Sequence, residues 1–184
     1  MSYRSVLREL AESQHGYVTT LDARALGVPA VELRKLTSRG ALQNVARGLY
    51  RFLDVRRDAT DAFAEAVLRV GPDAHLDGES VLALHDLALV EPPHITVATP
   101  HRVRLADPGF VNVVQSRIPA EEITEYDGIS ATRVWRALLQ AQGTVMTERL
   151  EDALTEARRR DLVTPLEARR VRRALRQQPL RNTE

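Results

Sequence analysis

The chain has 184 residues, of which 43% are apolar, enough for a buried core in one ordinary domain or two small ones. It contains no cysteine, which excludes disulfides, zinc–thiolate sites and a cysteine nucleophile. No apolar run approaches the roughly 20 residues that span a bilayer, and the opening Met1-Ser2-Tyr3-Arg4 leads into an amphipathic segment, so a cytoplasmic protein without a membrane partner is expected.

The net charge of +1 conceals a division along the chain. Residues 1–53 carry eight Arg/Lys against four Asp/Glu, a balance of +4. Residues 54–157 carry nine against eighteen (−9), and residues 158–184 nine against three (+6). A basic head, an acidic body and a basic tail suggest separate jobs. Lys35 is the one lysine among 26 basic residues, a usage that looks like codon bias, so a preference for Arg is no sign of phosphate contact.

In chain order, Val6, Leu7, Leu10 and Ala11 predict an amphipathic helix over residues 2–13. Gly16-Tyr17-Val18 breaks it. Thr20 reads as the N-cap of a short helix through Leu26, ended by Gly27, and Pro29 as the first residue of the next helix, which runs to Ser38. In that helix Ala30, Leu33 and Leu36 are expected to face inward, leaving Glu32, Arg34, Lys35, Ser38 and Arg39 outside. A short helix, a glycine turn and a second helix with a basic outer side are what a helix-turn-helix needs. The apolar residues flanking Ala46-Arg47-Gly48 read as a β-hairpin, a wing whose tip would bring Arg47 to phosphate. The candidate DNA contacts are therefore Thr20, Glu32, Arg34, Lys35, Ser38, Arg39 and Arg47. The same spacing also suits a small helical domain with a solvated charged face.

The run GYVTTLDARALGVPAVELRKLTSRGALQNVARGLYRF, residues 16–52, resembles the N-terminal domain of AbiEi-type antitoxins of abortive-infection (type IV) toxin–antitoxin systems. The Tyr-Val-Thr-Thr opening, the Leu-Gly-Val turn and the Arg-Gly-Leu-Tyr-Arg ending carry the likeness, which continues more loosely through residues 80–85 and 93–100. The resemblance implies a repressor of its own operon that binds inverted repeats in double-stranded promoter DNA as a monomer or weak dimer pairing on DNA. It also implies an antitoxin that counteracts a cognate nucleotidyltransferase toxin, directly or functionally. A stand-alone winged-helix regulator with a ligand-binding or oligomerising second domain is the alternative.

Residues 54–59 are polar and aperiodic and read as a linker. Beyond it, helices are predicted over residues 62–70, 78–87 and 132–141, and strands at 75–76, 94–98 and 110–115, with short ones at Ile123 and Ile129. Two helices close the chain; the first has the stripe Met146, Leu150, Ala153, Leu154 and Ala157. On the last, Arg169, Arg172, Arg173 and Arg176 share one face, either solvated or a surface for an acidic partner or nucleic acid. The whole is an α+β chain: a winged helix-turn-helix over 1–53, then a mixed α/β antitoxin domain over 60–184. His75, Asp77, His85 and Asp86 are close in sequence but lack single-helix ligand spacing, and no phosphate loop or nucleophile elbow is present. No enzyme, cofactor or metal is expected.

Overall fold

A computed structural model describes residues 2–177. The first lobe is α1 (Tyr3–Glu12), β1 (Tyr17–Thr19), α2 (Thr20–Ala25), α3 (Ala30–Ser38), β2 (Leu42–Ala46) and β3 (Leu49–Phe52). Its antiparallel sheet has the order β1-β3-β2. Leu7 and Ala11 of α1, Ala23 of α2, Leu33 and Leu36 of α3, and Phe52 of β3 close a core of their own.

Helix boundaries differ slightly from those read in the sequence. Thr19, not Thr20, caps α2: its hydroxyl accepts from the Asp22 amide at 3.0 Å, and Asp22 accepts from the Thr19 amide at 2.7 Å. This reciprocal box satisfies two amides that the helix start would leave unpaired. Pro29 stands just outside α3 with extended backbone. Ala30 is consequently exposed, and Val28 takes the inward place assigned to it.

The second lobe holds α4 (Asp61–Val70), β4 (His75–Leu76), α5 (Glu79–Leu84), β5 (Ile95–Thr99), β6 (Val111–Gln115), β7 (Ile123–Tyr126), β8 (Ile129–Thr132), α6 (Val134–Gln140), α7 (Thr147–Arg159) and α8 (Pro165–Gln177). Five strands form a mixed sheet in the order β6-β5-β4-β8-β7. The chain is thus mixed α/β, and no described helix is long and apolar enough to cross a membrane. α5 stops three residues short of the predicted end, because Asp86, Ala88 and Leu89 adopt positive φ and turn the chain. Met146, expected on the buried stripe of α7, lies outside it and 62% exposed.

The lobes are joined by polar contacts through an apolar seam. Arg51 on β3 is 1% exposed. Its Nη2 donates to Asp61 Oδ2 at 2.9 Å and to the Val55 carbonyl at 3.2 Å, while Nη1 donates to the Phe52 carbonyl. Nearby, the Tyr17 hydroxyl donates to Glu65 on α4 (2.8 Å), Glu65 also receives Arg69 (2.9 Å), and Arg69 donates back to the Val45 carbonyl on β2 (3.3 Å). Burial and the neighbouring Glu65 hold the Tyr17 phenol above its usual range. Tyr17 and Leu49 belong to the core of the second lobe. Gly128, in the β7–β8 turn, has φ +77 and approaches α1 so closely that an added Cβ would lie 2.9 Å from the Ser13 carbonyl oxygen.

His75 and His85 occupy separate places. His75 is buried on β4, and His85 meets Tyr126 edge-on at 4.4 Å between ring centroids. Burial, reinforced by Arg160 and opposed by Asp86, pushes the His85 imidazole down to about 4. Burial lowers His75 as well.

Two outcomes are expected. Removing one member of the junction pair, as Asp61→Ala or Arg51→Met, leaves a buried charge uncompensated and costs about 3–5 kcal/mol. The double replacement Arg51→Met with Asp61→Leu recovers most of that loss in urea unfolding; a double variant as unstable as either single one would argue against charge isolation as the cause. The second outcome concerns pH. The unfolded chain protonates these imidazoles near pH 6.5, whereas folded His85 resists to about 4. Stability is therefore complete above the unfolded value and lost as pH falls from about 6.5 towards 4. Thermal melts across that window should show the loss, and His85→Gln should flatten it.

Candidate nucleic-acid interface

α2 and α3 pack against α1 through one side each, so the residues they bury decide which ones they present. With Leu33 and Leu36 turned inward, α3 exposes Ala30, Val31, Arg34, Lys35 and Ser38, and Arg39 caps its end. The three cations thus lie on or beside an outer face without buried carboxylates. Lys35 donates to Glu32 Oε1 at 2.7 Å, so part of its charge is neutralised within the helix, and Glu32 is half-buried. Arg34 and Arg39 pair with no described carboxylate, and their guanidinium groups are the less encumbered donors. The Ser38 hydroxyl donates to the Lys35 carbonyl at 3.0 Å, which leaves its oxygen as an acceptor.

Thr20 begins α2, exposed, and its amide donates to the Gly48 carbonyl at 2.9 Å. That contact ties the hairpin turn to the helix start. Gly48 has φ +73, and a Cβ there would lie 3.0 Å from the Thr20 hydroxyl, so glycine is required both for the turn and for the approach. Asn44 closes the bulge in β2 by donating to the Ala46 and Leu49 carbonyls. Arg47 stands exposed at the tip, at the edge of a crevice of about 360 Å³ that runs between α2, α4 and the β7–β8 turn. The hairpin is therefore anchored at both ends: Thr20 holds its tip, and Arg69 of the second lobe holds the Val45 carbonyl.

The candidate residues fall into two separate groups. Thr20, Glu32, Arg34, Lys35, Ser38, Arg39 and Arg47 all lie on α2, α3 or the hairpin turn. Arg169, Arg172, Arg173 and Arg176 lie exposed on α8. Arg169 and Arg173 also border a groove of about 790 Å³ with Arg170, Arg133 and Trp135. Arg170 lies 4.4 Å over the Trp135 ring, a cation–π contact that holds this arginine against the lobe. Sequence reading passed over Arg24, which α2 also leaves exposed. It also passed over Arg51, whose burial has no local signature within an alternating strand.

Residues 5–53 match the family model described as the AbiEi antitoxin transcriptional regulator. No curated protein matches the sequence. Among solved structures, the RV2827C protein from Mycobacterium tuberculosis is similar in fold over 95% of this chain and 76% of its own, with 19% sequence identity and a TM-score of 0.51. The matched segment runs from within α1 to β3, the helices and hairpin described above, so the similarity to the AbiEi antitoxin transcriptional regulators is confined to the first lobe.

Proposed function

We propose that this protein is an antitoxin-type regulator that binds its own promoter through a winged helix-turn-helix and represses transcription. The observation that carries the reading is the coincidence of the family match with a helix, α3, that presents Arg34, Lys35 and Arg39 outward. α3 enters the major groove of inverted repeats, and the hairpin serves as the wing. Its Arg47 meets phosphate, together with the exposed start of α2 at Thr20. Such contacts give affinity through counterion release and orient the helix, while the outer side chains of α3 read base edges. Two copies, monomeric or weakly dimeric in solution, pair on the two half-sites. The second lobe, residues 60–184, counteracts a nucleotidyltransferase toxin, with the basic face of α8 as its candidate contact. The resemblance supports that partner, and the acidic character of residues 54–157 supports a task for this lobe other than DNA binding.

A specific observation favours a second reading, a stand-alone regulator. The crevice between the lobes is lined by Gln14, Asp22 and Arg47 on one side and Val67, Leu68 and Ser130 on the other. It offers polar and apolar groups to a small ligand beside the hairpin.

Gel shifts on a fragment carrying the promoter repeats test the DNA contacts. Lys35→Ala with Arg39→Ala should lose about 1–3 kcal/mol for each good base contact removed. Arg47→Ala should weaken specific and non-specific DNA alike and reduce the salt slope by about one. Undiminished affinity in the α3 variant would exclude that helix as the reader. Co-expression with the adjacent gene separates the two functions. Growth rescue from a nucleotidyltransferase neighbour is expected of the antitoxin, while promoter binding without rescue would favour the stand-alone regulator.

A further inference from the structure

The end of α1 and the start of α4 bring three ligand-type side chains to one point at the lobe junction. His15, Asp58 and Asp61 each offer one atom, all within 4.8 Å of one another. His15 Nδ1 lies 3.7 Å from an Asp58 oxygen, Oδ2, and 3.8 Å from Asp61 Oδ1. Among the described residues, no other group of three His, Cys, Asp or Glu side chains converges in this way.

Hydrogen bonding fixes what each atom presents. His15 Nε2 lies 2.8 Å from the Asp127 carbonyl oxygen. A carbonyl only accepts, so Nε2 carries the hydrogen, and in the neutral ring Nδ1 offers its lone pair. That lone pair faces the two carboxylate oxygens and the Thr60 hydroxyl, 3.3 Å away. The Thr60 hydrogen is already engaged by Asp58 Oδ1 at 2.6 Å. Asp61 is more than nine-tenths buried; its Oδ2 takes the Arg51 guanidinium, but its Oδ1 has no hydrogen-bond partner. A buried carboxylate oxygen left unpaired, aimed at a lone pair and a second carboxylate, calls for positive charge among the three.

We propose that His15 Nδ1, Asp58 Oδ2 and Asp61 Oδ1 form a binding site for a divalent transition-metal cation, with Zn2+ the best chemical match. One imidazole and two carboxylates are a donor set that Zn2+ takes readily, with water in the fourth position. The two separations from His15 Nδ1, 3.7 and 3.8 Å, exceed by only a few tenths of an ångström the roughly 3.4 Å between neighbouring ligands that tetrahedral Zn–ligand bonds of about 2.0–2.2 Å set. The groups that orient metal ligands are present: the Asp127 carbonyl on His15 Nε2, Arg51 on Asp61 Oδ2, and the Thr60 hydroxyl and amide on Asp58 Oδ1. Since His15 follows α1 and Asp61 opens α4, the ion fastens one lobe to the other. The site stands whether or not α3 reads DNA.

Full-length protein stripped with a chelator and titrated with Zn2+ in a calorimeter tests the site, with side-chain 15N NMR of the histidines alongside. One Zn2+ per chain is expected, with the change concentrated at His15 Nδ1, Nε2 remaining protonated, and a raised Tm. His15→Gln and Asp58→Asn should each weaken binding tenfold or more. The Asp58 side chain is 57% exposed, so its variant alters a ligand without touching the Arg51–Asp61 pair, and circular dichroism verifies its fold. Absence of stoichiometric binding by the wild type would overturn the proposal. Binding unaltered in both variants would equally overturn it, moving the ion elsewhere, such as to the exposed His101–Asp73 pair.

Discussion

The ion pair between Arg51 and Asp61 fixes how everything else is arranged. A guanidinium 1% exposed inside a small α/β chain needs acceptors, and here Nη1 and Nη2 reach Asp61, the Val55 carbonyl and the Phe52 carbonyl, while Nε is buried without a partner. Each acceptor lies on a different part of the junction. Asp61 sets the start of α4, Val55 draws residues 53–60 across the seam, and Phe52 is the last residue of β3. The segment between the lobes therefore has little freedom although it contains neither helix nor strand. Leu53 donates to the Ala41 carbonyl, Asp54 receives Arg4 and Arg8, and Thr60 closes on Asp58.

The same constraint governs the hairpin. In a helix-turn-helix protein with a free wing, the strands after α3 are covered on one side only. Here Tyr17 and Leu49 enter the larger core, and the Tyr17–Glu65–Arg69–Val45 chain returns from α4 to the outer strand. Arg69 also lies 5.1 Å over the Phe110 ring, so its position is set from the second lobe as well. A hairpin so held presents Arg47 at a fixed place. Preorganised contacts of this kind give up less entropy on binding than a loop that must order itself.

Local features of the fold were legible in the sequence; features made by distant residues were not. The glycines at 27, 48 and 71, and the apolar spacing in α1, α4, α7 and α8, marked elements to within one or two residues because those signals act within a turn. The errors at Thr19, Pro29 and Ala30 are displacements of one position, where two adjacent threonines or a proline offered equally good starts. α5 was read too long because its apolar pattern continues past Leu84 while the backbone does not. The outward set on α3 follows from Leu33 and Leu36 alone. The junction is another matter. His15, Arg51, Asp58 and Asp61 sit on a helix-to-strand turn, a strand, a loop and a helix start, and no periodicity joins them. Polar residues in a strand or a loop are ordinary, and only the closed structure reveals that three of these four are withdrawn from water.

That closure bears on how the proposed DNA-binding half and a second half work within one chain. The inner face of α3, Leu33 and Leu36, shares its core with Phe52, and Phe52 follows Arg51 directly. A partner that binds the second lobe therefore reaches α3 by a short packed route through α4, Asp61 and β3. It changes DNA affinity only to the extent that it favours one arrangement of that route over another. If the junction has a single arrangement, the two halves act independently despite their contact. If it has two, the unpaired Asp61 oxygen and the imidazole beside it are where they would differ, because a buried polar atom without a hydrogen bond carries a desolvation cost that a rearrangement can relieve. The sequence divides its charge between the two lobes, and the chemistry at His15, Arg51 and Asp61 decides whether those lobes are coupled.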